Sequence, residues 1–311
     1  MKPNLLSKTT CASTPSSPII LPSLRSFFTL LRPHQYTKNM LIFAPLFFSG
    51  RITELNLLFN ALTAFIAFSL CASSVYILND YKDRHEDRLH PKKKHRPIAA
   101  GDISTKSALL LMSVLAMLGG LLMAAVSISA LYVLLAYIVI NIGYSLHLKH
   151  VALVDVTLIA IGFVLRLFVG ACATQTNLSA WIIIMTFLLA LFLALAKRRD
   201  DVLIFQETGQ KMRPVIDGYN LKLIDGLMMI SAAVVIVAYM LYTVSPDIAP
   251  WIQSKYLCLT ALFVILGIMR YLQIAFVENE SGSPTMVLLR DTFLQIIITI
   301  WIFIFSLIIY L

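Results

Sequence analysis

The sequence predicts an all-α fold, a polytopic membrane helical bundle of about nine transmembrane helices. Three observations predict it. Hydrophobic residues make up 59% of the 311 and charged residues only 13%, with a mean hydropathy of +0.83; a soluble domain carries about twice that charged fraction. Apolar runs of about 20 residues, the length that crosses a bilayer core, recur along the chain. The lysines and arginines, finally, gather in alternate connections between those runs.

The elements follow in order. Residues 1–25, with the Ser/Thr/Pro-rich "STPSSPIILPS", lack the apolar core of a signal peptide and are predicted to be a disordered cytoplasmic tail. Residues 26–311 are predicted to form one transmembrane domain with spans near 26–49, 56–80, 105–126, 128–146, 152–173, 178–197, 221–244, 255–276 and 288–311. The first span is interrupted by "LRPHQYTKN", where Pro33 should kink or start a helix. The third and fourth are divided only by a short break near Ser127–Ser129. With the N-terminus inside, 22 of the 25 basic residues lie on the cytoplasmic side; Arg51 and Lys255 fall outside and Arg166 within a span. The chain is therefore expected in the inner (plasma) membrane, with its C-terminus outside.

Several classes are excluded. The net charge of +9 follows from this asymmetry and from attraction to anionic headgroups of the lipid bilayer. Nucleic-acid binding would need a basic face on a soluble module, and no such module is present. Cys11, Cys71, Cys172 and Cys258 stand far apart, which suits small apolar filler rather than a zinc site or a disulfide framework. Self-association into a homo-oligomer stays open.

Chemistry is concentrated in "ILNDYKDRHEDRLHPKKKHRPIAAGD", residues 77–102. Asn79, Asp83 and Asp87 are spaced i, i+4, i+8, which stacks them along one helical face. Topology does not require carboxylates there. Three oxygen ligands on one stripe suit Mg²⁺, which takes one or two carboxylates and completes its shell with water and phosphate oxygens. Lys92, Lys93, Lys94 and Arg96 follow at once and suit the phosphates, although a positive-inside loop would also carry such lysines. Arg166 lies within the fifth span and Asp155 near its cytoplasmic entrance. A charge at that depth needs a partner, either that aspartate, a backbone carbonyl or an anionic ligand.

"NDYKDRHED" and "YSLHLKH" resemble signature segments of the UbiA superfamily of intramembrane prenyltransferases. "LRPHQYTKNMLIFAPLFFSG", "HRPIAAG", "VDVTLIAIGFVLRLFVGA" and "KRRDD" are similar to one branch, the decaprenyl-phosphate phosphoribosyltransferases. The resemblance implies a bundle around a cavity open to the cytoplasm and to lipid, with two acid-bearing loops facing each other over a Mg²⁺-diphosphate. It implies Mg²⁺ on Asn79, Asp83 and Asp87, with Asp83, Asp87, Asp201 and Lys38 in the catalytic set. It also implies substrate contacts from Arg32, Lys92, Lys94, Arg96, Tyr144, Lys149, Arg166, Lys197, Arg198 and Arg199. After Lys-Arg-Arg this branch usually carries a glutamate where this chain has Asp201, a carboxylate one methylene shorter.

The implied reaction moves 5-phosphoribosyl from phosphoribosyl diphosphate to a polyprenyl phosphate. An aromatic prenyltransferase using an allylic diphosphate remains the alternative, because the acidic stripe serves either leaving group. A lipid transporter or flippase is the reading of another class. Against it, the ionisable residues gather at one membrane face instead of the midplane.

Overall fold

The computed structural model describes residues 24–89, 93–209, 211, 213–245 and 256–310. Among them eight helices are long and apolar enough to cross a membrane. The sequence expectation of about nine spans differs at the first. That segment is instead α1 (Leu24–Leu31), a 3-10 run over Pro33–Phe43, and α2 (Ala44–Phe48). Its break has a local cause. Arg32, pushed out of the right-handed helical region as the residue before a proline, sits here in the left-handed region (φ 55, ψ 56). Pro33 then starts the next turn, where its missing N–H costs nothing.

The spans are α3 (Leu55–Lys82), followed by the short cytoplasmic α4 (Arg84–Leu89) and α5 (Pro97–Ala100), then α6 (Thr105–Val126), α7 (Ile128–Leu146), α8 (Val154–Thr174) and α9 (Ala180–Thr208). After them come α10 (Leu221–Val244), α11 (Ala261–Gln273), α12 (Pro284–Arg290) and α13 (Thr292–Tyr310). The predicted break between spans three and four is Ser127, whose hydroxyl accepts from the Ala130 amide at 3.3 Å and starts α7. Ser104, Ser179 and Asn220 cap α6, α9 and α10 in the same way. A one-turn π-helix, Ile274–Glu278, extends α11 and ends at Asn279 in the left-handed region.

Helices in lipid gain little from apolar burial against one another, so close packing and polar contacts hold them. α3 presents Ala61, Ala64, Ala67, Cys71 and Ala72 to its neighbours and packs most extensively on α6. Gly119 of α6 makes that approach possible, since a Cβ there would lie 2.6 Å from the Ala67 carbonyl oxygen. α8 is the central post, touching α3, α7, α9, α2 and the 3-10 run. Gly170 of α8 lies directly under the Ile42 carbonyl, where no side chain fits.

α9 and α3, at 29 and 28 residues, are the longest helices. At about 1.5 Å per residue each is about 42–44 Å long, more than the roughly 30 Å of hydrocarbon. Their C-terminal ends therefore reach past the apolar core. Those ends carry the two charged motifs.

Candidate functional site

The first motif sits where α3 gives way to α4. Asp83 caps α3, but its amide still donates to the Asn79 carbonyl at 2.9 Å, and the Asp87 amide to the Asp83 carbonyl at 2.8 Å. The i, i+4, i+8 spacing thus survives the change of helix. The Asn79 amide donates to Asp83 Oδ2 at 3.1 Å, and Lys149 Nζ to Asp83 Oδ1 at 2.7 Å. Arg96 Nη1 bridges Asp87 (2.7 Å) and Asp80 (3.0 Å), and Arg32 Nη2 donates to Asp80 at 2.5 Å. Asp80, one residue off the stripe, was not among the expected site residues. It is the acid that joins the 3-10 run to the first loop.

Among the described residues no three His, Cys, Asp or Glu side chains gather as a metal site. The stripe supplies two carboxylates and an amide oxygen, each carboxylate already facing a cation. That donor set fits an ion that takes one or two carboxylates and draws its remaining ligands from water and phosphate. A ready-made cage is not present, so the expected triad is a partial ligand set.

The second motif ends α9, and here the structure places two arginines of the expected site on protein acceptors. Arg198 is 2% exposed. Its Nε donates to Asp155 at 2.6 Å and its Nη1 to Asp201 at 3.0 Å. Arg199 donates to Asp225 at 2.8 Å, to the Ala275 carbonyl at 2.5 Å and to Asn279 at 2.8 Å. It thereby holds the end of α11 and its π-helix against α9 and α10. Both guanidiniums face protein acceptors and not an open phosphate site. Burying an arginine demands full pairing, and the fold supplies it.

Arg166 takes neutral partners. It donates to Asn39 at 2.7 Å, to the Gly162 carbonyl at 2.7 Å and to Tyr137 at 3.3 Å, and it lies over the Phe68 and Tyr137 rings. The carbonyl expectation is met. Asp155, the other expected partner, belongs to Arg198. Lys38 has no hydrogen bond or ion pair among the described residues, and the charges nearest it are Arg166, Lys197 and Arg32. Lys197, which is exposed, is likewise without an ion pair and lies near Arg213, Asp201 and Asp200.

The two loops converge. Half-buried Lys93 lies within the field of Asp83, Asp87 and Arg96 of its own loop and of Arg213 from the second. Burial, more than the neighbouring Arg96, holds its ammonium below the usual lysine range. Arg213 in turn donates to Asp201 at 3.1 Å. Tyr144 is half-buried within the field of Arg198. Lys94 is exposed, and Lys92 lies outside the described residues. Asp80, Arg213, Tyr219 and Asp225 were not among the residues expected from the sequence. Only Asp80 carried a local signal, its place inside the acidic cluster.

The model of the UbiA prenyltransferase family matches residues 41–289. A decaprenyl-phosphate phosphoribosyltransferase of Corynebacterium glutamicum is 31% identical over 283 residues, covering 88% of this chain and 83% of that protein. A decaprenyl-phosphate phosphoribosyltransferase of Mycolicibacterium smegmatis is 30% identical over 282 residues, covering 88% of each. In fold, the chain is similar to a UbiA homolog from Archaeoglobus fulgidus solved with DMAPP and Mg²⁺, with a TM-score of 0.69 at 20% identity, covering 92% of this chain and 99% of that one. An integral membrane transferase, this chain belongs to the UbiA prenyltransferase family.

Proposed function

We propose that residues 26–311 act as one catalytic unit that transfers 5-phosphoribosyl from phosphoribosyl diphosphate to a polyprenyl phosphate. An acceptor phosphate oxygen bonds to the anomeric carbon, the bond from that carbon to the diphosphate breaks, and pyrophosphate leaves with inversion. Asn79, Asp83 and Asp87 would hold Mg²⁺, which when bound supplies charge to the departing oxygens. Lys149, Arg96 and Arg32 sit beside those carboxylates, at 2.7 Å or less from Asp83, Asp87 and Asp80 respectively, and are ready to orient phosphate oxygens.

The observation that carries the reading is the surplus of cations next to this site. Lys38 and Arg166 have no carboxylate partner. Uncompensated charge inside a membrane bundle is costly unless an anion arrives. A phosphate-bearing acceptor offsets that charge, whereas a neutral phenol does not. The 5-phosphate of the ribose donor adds a further anion that an allylic diphosphate lacks. The identity to decaprenyl-phosphate phosphoribosyltransferases supports the same choice.

The test gives purified protein each labelled donor, with polyprenyl phosphate or 4-hydroxybenzoate as acceptor. Ribose phosphate should appear on the lipid phosphate, and pyrophosphate should be released in step. Prenyl transfer to the phenol, without ribose-phosphate transfer, overturns the proposal. The site is read as cytoplasmic from the positive-inside bias, with the N-terminus inside and, counting the broken 24–48 segment as the ninth crossing, the C-terminus outside. A terminal reporter of sidedness checks that orientation.

A further inference from the structure

Two segments far apart in sequence meet behind the site. The loop over residues 148–153 carries Lys149, which sits on Asp83 at 2.7 Å. It ends at Leu153, a half-exposed leucine held at φ 67, ψ −39, a region that an L-residue occupies only when its surroundings force it. The force comes from Tyr219, whose hydroxyl accepts from the Leu153 amide at 2.8 Å and donates to Asp155 Oδ1 at 2.5 Å. Asp155 Oδ2 accepts from Arg198 at 2.6 Å, and Arg198 reaches on to Asp201 at 3.0 Å. Gly218 seals the contact, because a Cβ there would come within 2.5 Å of the Ala152 Cβ.

We infer that Asp155, Arg198 and Tyr219 form a positioning network that sets Lys149 and Asp201 together against the diphosphate site. The network is too deep to bind substrate, since Asp155 is 0% and Arg198 2% exposed. It is closed in charge and hydrogen bonding, with both Asp155 oxygens engaged. Burial holds the Tyr219 phenol far above its ordinary range, and its bond to Asp155 adds to this, so the hydroxyl keeps the proton it donates. One end governs the backbone that carries Lys149, and the other grips the Asp201 carboxylate. The two acid motifs are thereby coupled through protein and not only through a shared ligand. The inference rests on the proposed diphosphate chemistry.

The test uses Tyr219→Phe, which keeps the ring and removes the hydroxyl, in the full chain. Calorimetric binding of Mg²⁺–pyrophosphate is measured, because that product is common to ribosyl and prenyl donors. Tyr219→Phe should weaken binding by about 3- to 10-fold, the scale of a lost buried hydrogen bond, and donor KM should rise more than kcat falls. Combined with Lys149→Gln, it should cost clearly less than the product of the two single losses, as a partly shared route requires. Gly218→Ala displaces the same loop and should show the same coupling. Losses that multiply in the double variants, or unchanged binding in Tyr219→Phe, overturn the inference. No pyrophosphate binding by the unsubstituted protein overturns the diphosphate reading itself and this one with it.

Discussion

The two charged motifs end the two longest helices, yet they hold their charges differently. At the first, Asp83 and Lys149 are each about one-fifth exposed and Arg96 one-quarter exposed, although Arg96's partners Asp80 and Asp87 are buried. At the second, Arg198 and Asp155 are nearly or fully buried, and the Arg199 side chain is 7% exposed. A partly hydrated ion pair is weak and exchanges its partner easily. A buried pair contributes little over an apolar pair, but breaking it strands a charge. The Asp83–Lys149 pair of the first motif is therefore the one free to exchange its partner, whereas the Asp155–Arg198 pair of the second holds helices in place. Similar charge patterns in sequence perform different work because their dielectric surroundings differ.

The largest expected effect breaks the first region. Asp83→Asn or Asp87→Asn should cut turnover by about 10²–10³, the loss seen when one group stabilising developing charge is removed. For Asp83→Asn the melting temperature should hardly move, whereas Asp87→Asn, at a buried carboxylate paired with Arg96, should also lower it. A chelator should match the substitutions, and activity that survives it would make the stripe an ordinary solvated helix end.

The converse belongs to the second region. Arg198→Ala leaves Asp155 buried without its cation and should cost about 3–5 kcal/mol of stability. Denaturant or thermal midpoints check it; an unchanged midpoint would erase the contrast between the motifs. Lys149→Gln comes next. It should raise the donor KM about tenfold, the scale of one charge-assisted hydrogen bond, with stability nearly intact because its pair is hydrated.

The smallest effect is a pH dependence. Burial depresses the Lys93 pKa below 10.5 in the folded state. A depressed lysine costs stability while the unfolded chain remains protonated, and the cost fades as pH rises through the window up to that ordinary value. Lys93→Gln should thus raise the midpoint at pH 7, with the gain shrinking toward about pH 10. A gain of equal size at both pH values would point to packing and not to charge.

Much of this was legible beforehand. Ser127 announced its helix start because a hydroxyl capping an amide three residues on is a local event. Asn79, Asp83 and Asp87 were legible for the same reason, since helical spacing stacks them whatever surrounds the helix. The first span was misread in part. Its apolar tally is adequate, but Asn39 is drawn inward to Ser69 (2.9 Å) and Arg166 (2.7 Å), and the run winds as a 3-10 segment to deliver it. Arg198 and Arg199 were read as phosphate ligands because nothing in "KRRDD" reveals that Asp155, 43 residues earlier, and Asp225, 26 residues later, lie against them.

By itself, the sequence determined the membrane class, the long spans and the spacing of the acidic stripe. These rest on hydropathy and on hydrogen bonds within a turn or two, which neighbouring residues settle alone. Only the tertiary structure decided which cations face an open site and which are locked inside. An ion pair's partner and its dielectric are set by the packing of helices remote in sequence, and charge at a cytoplasmic helix end reads the same in either case.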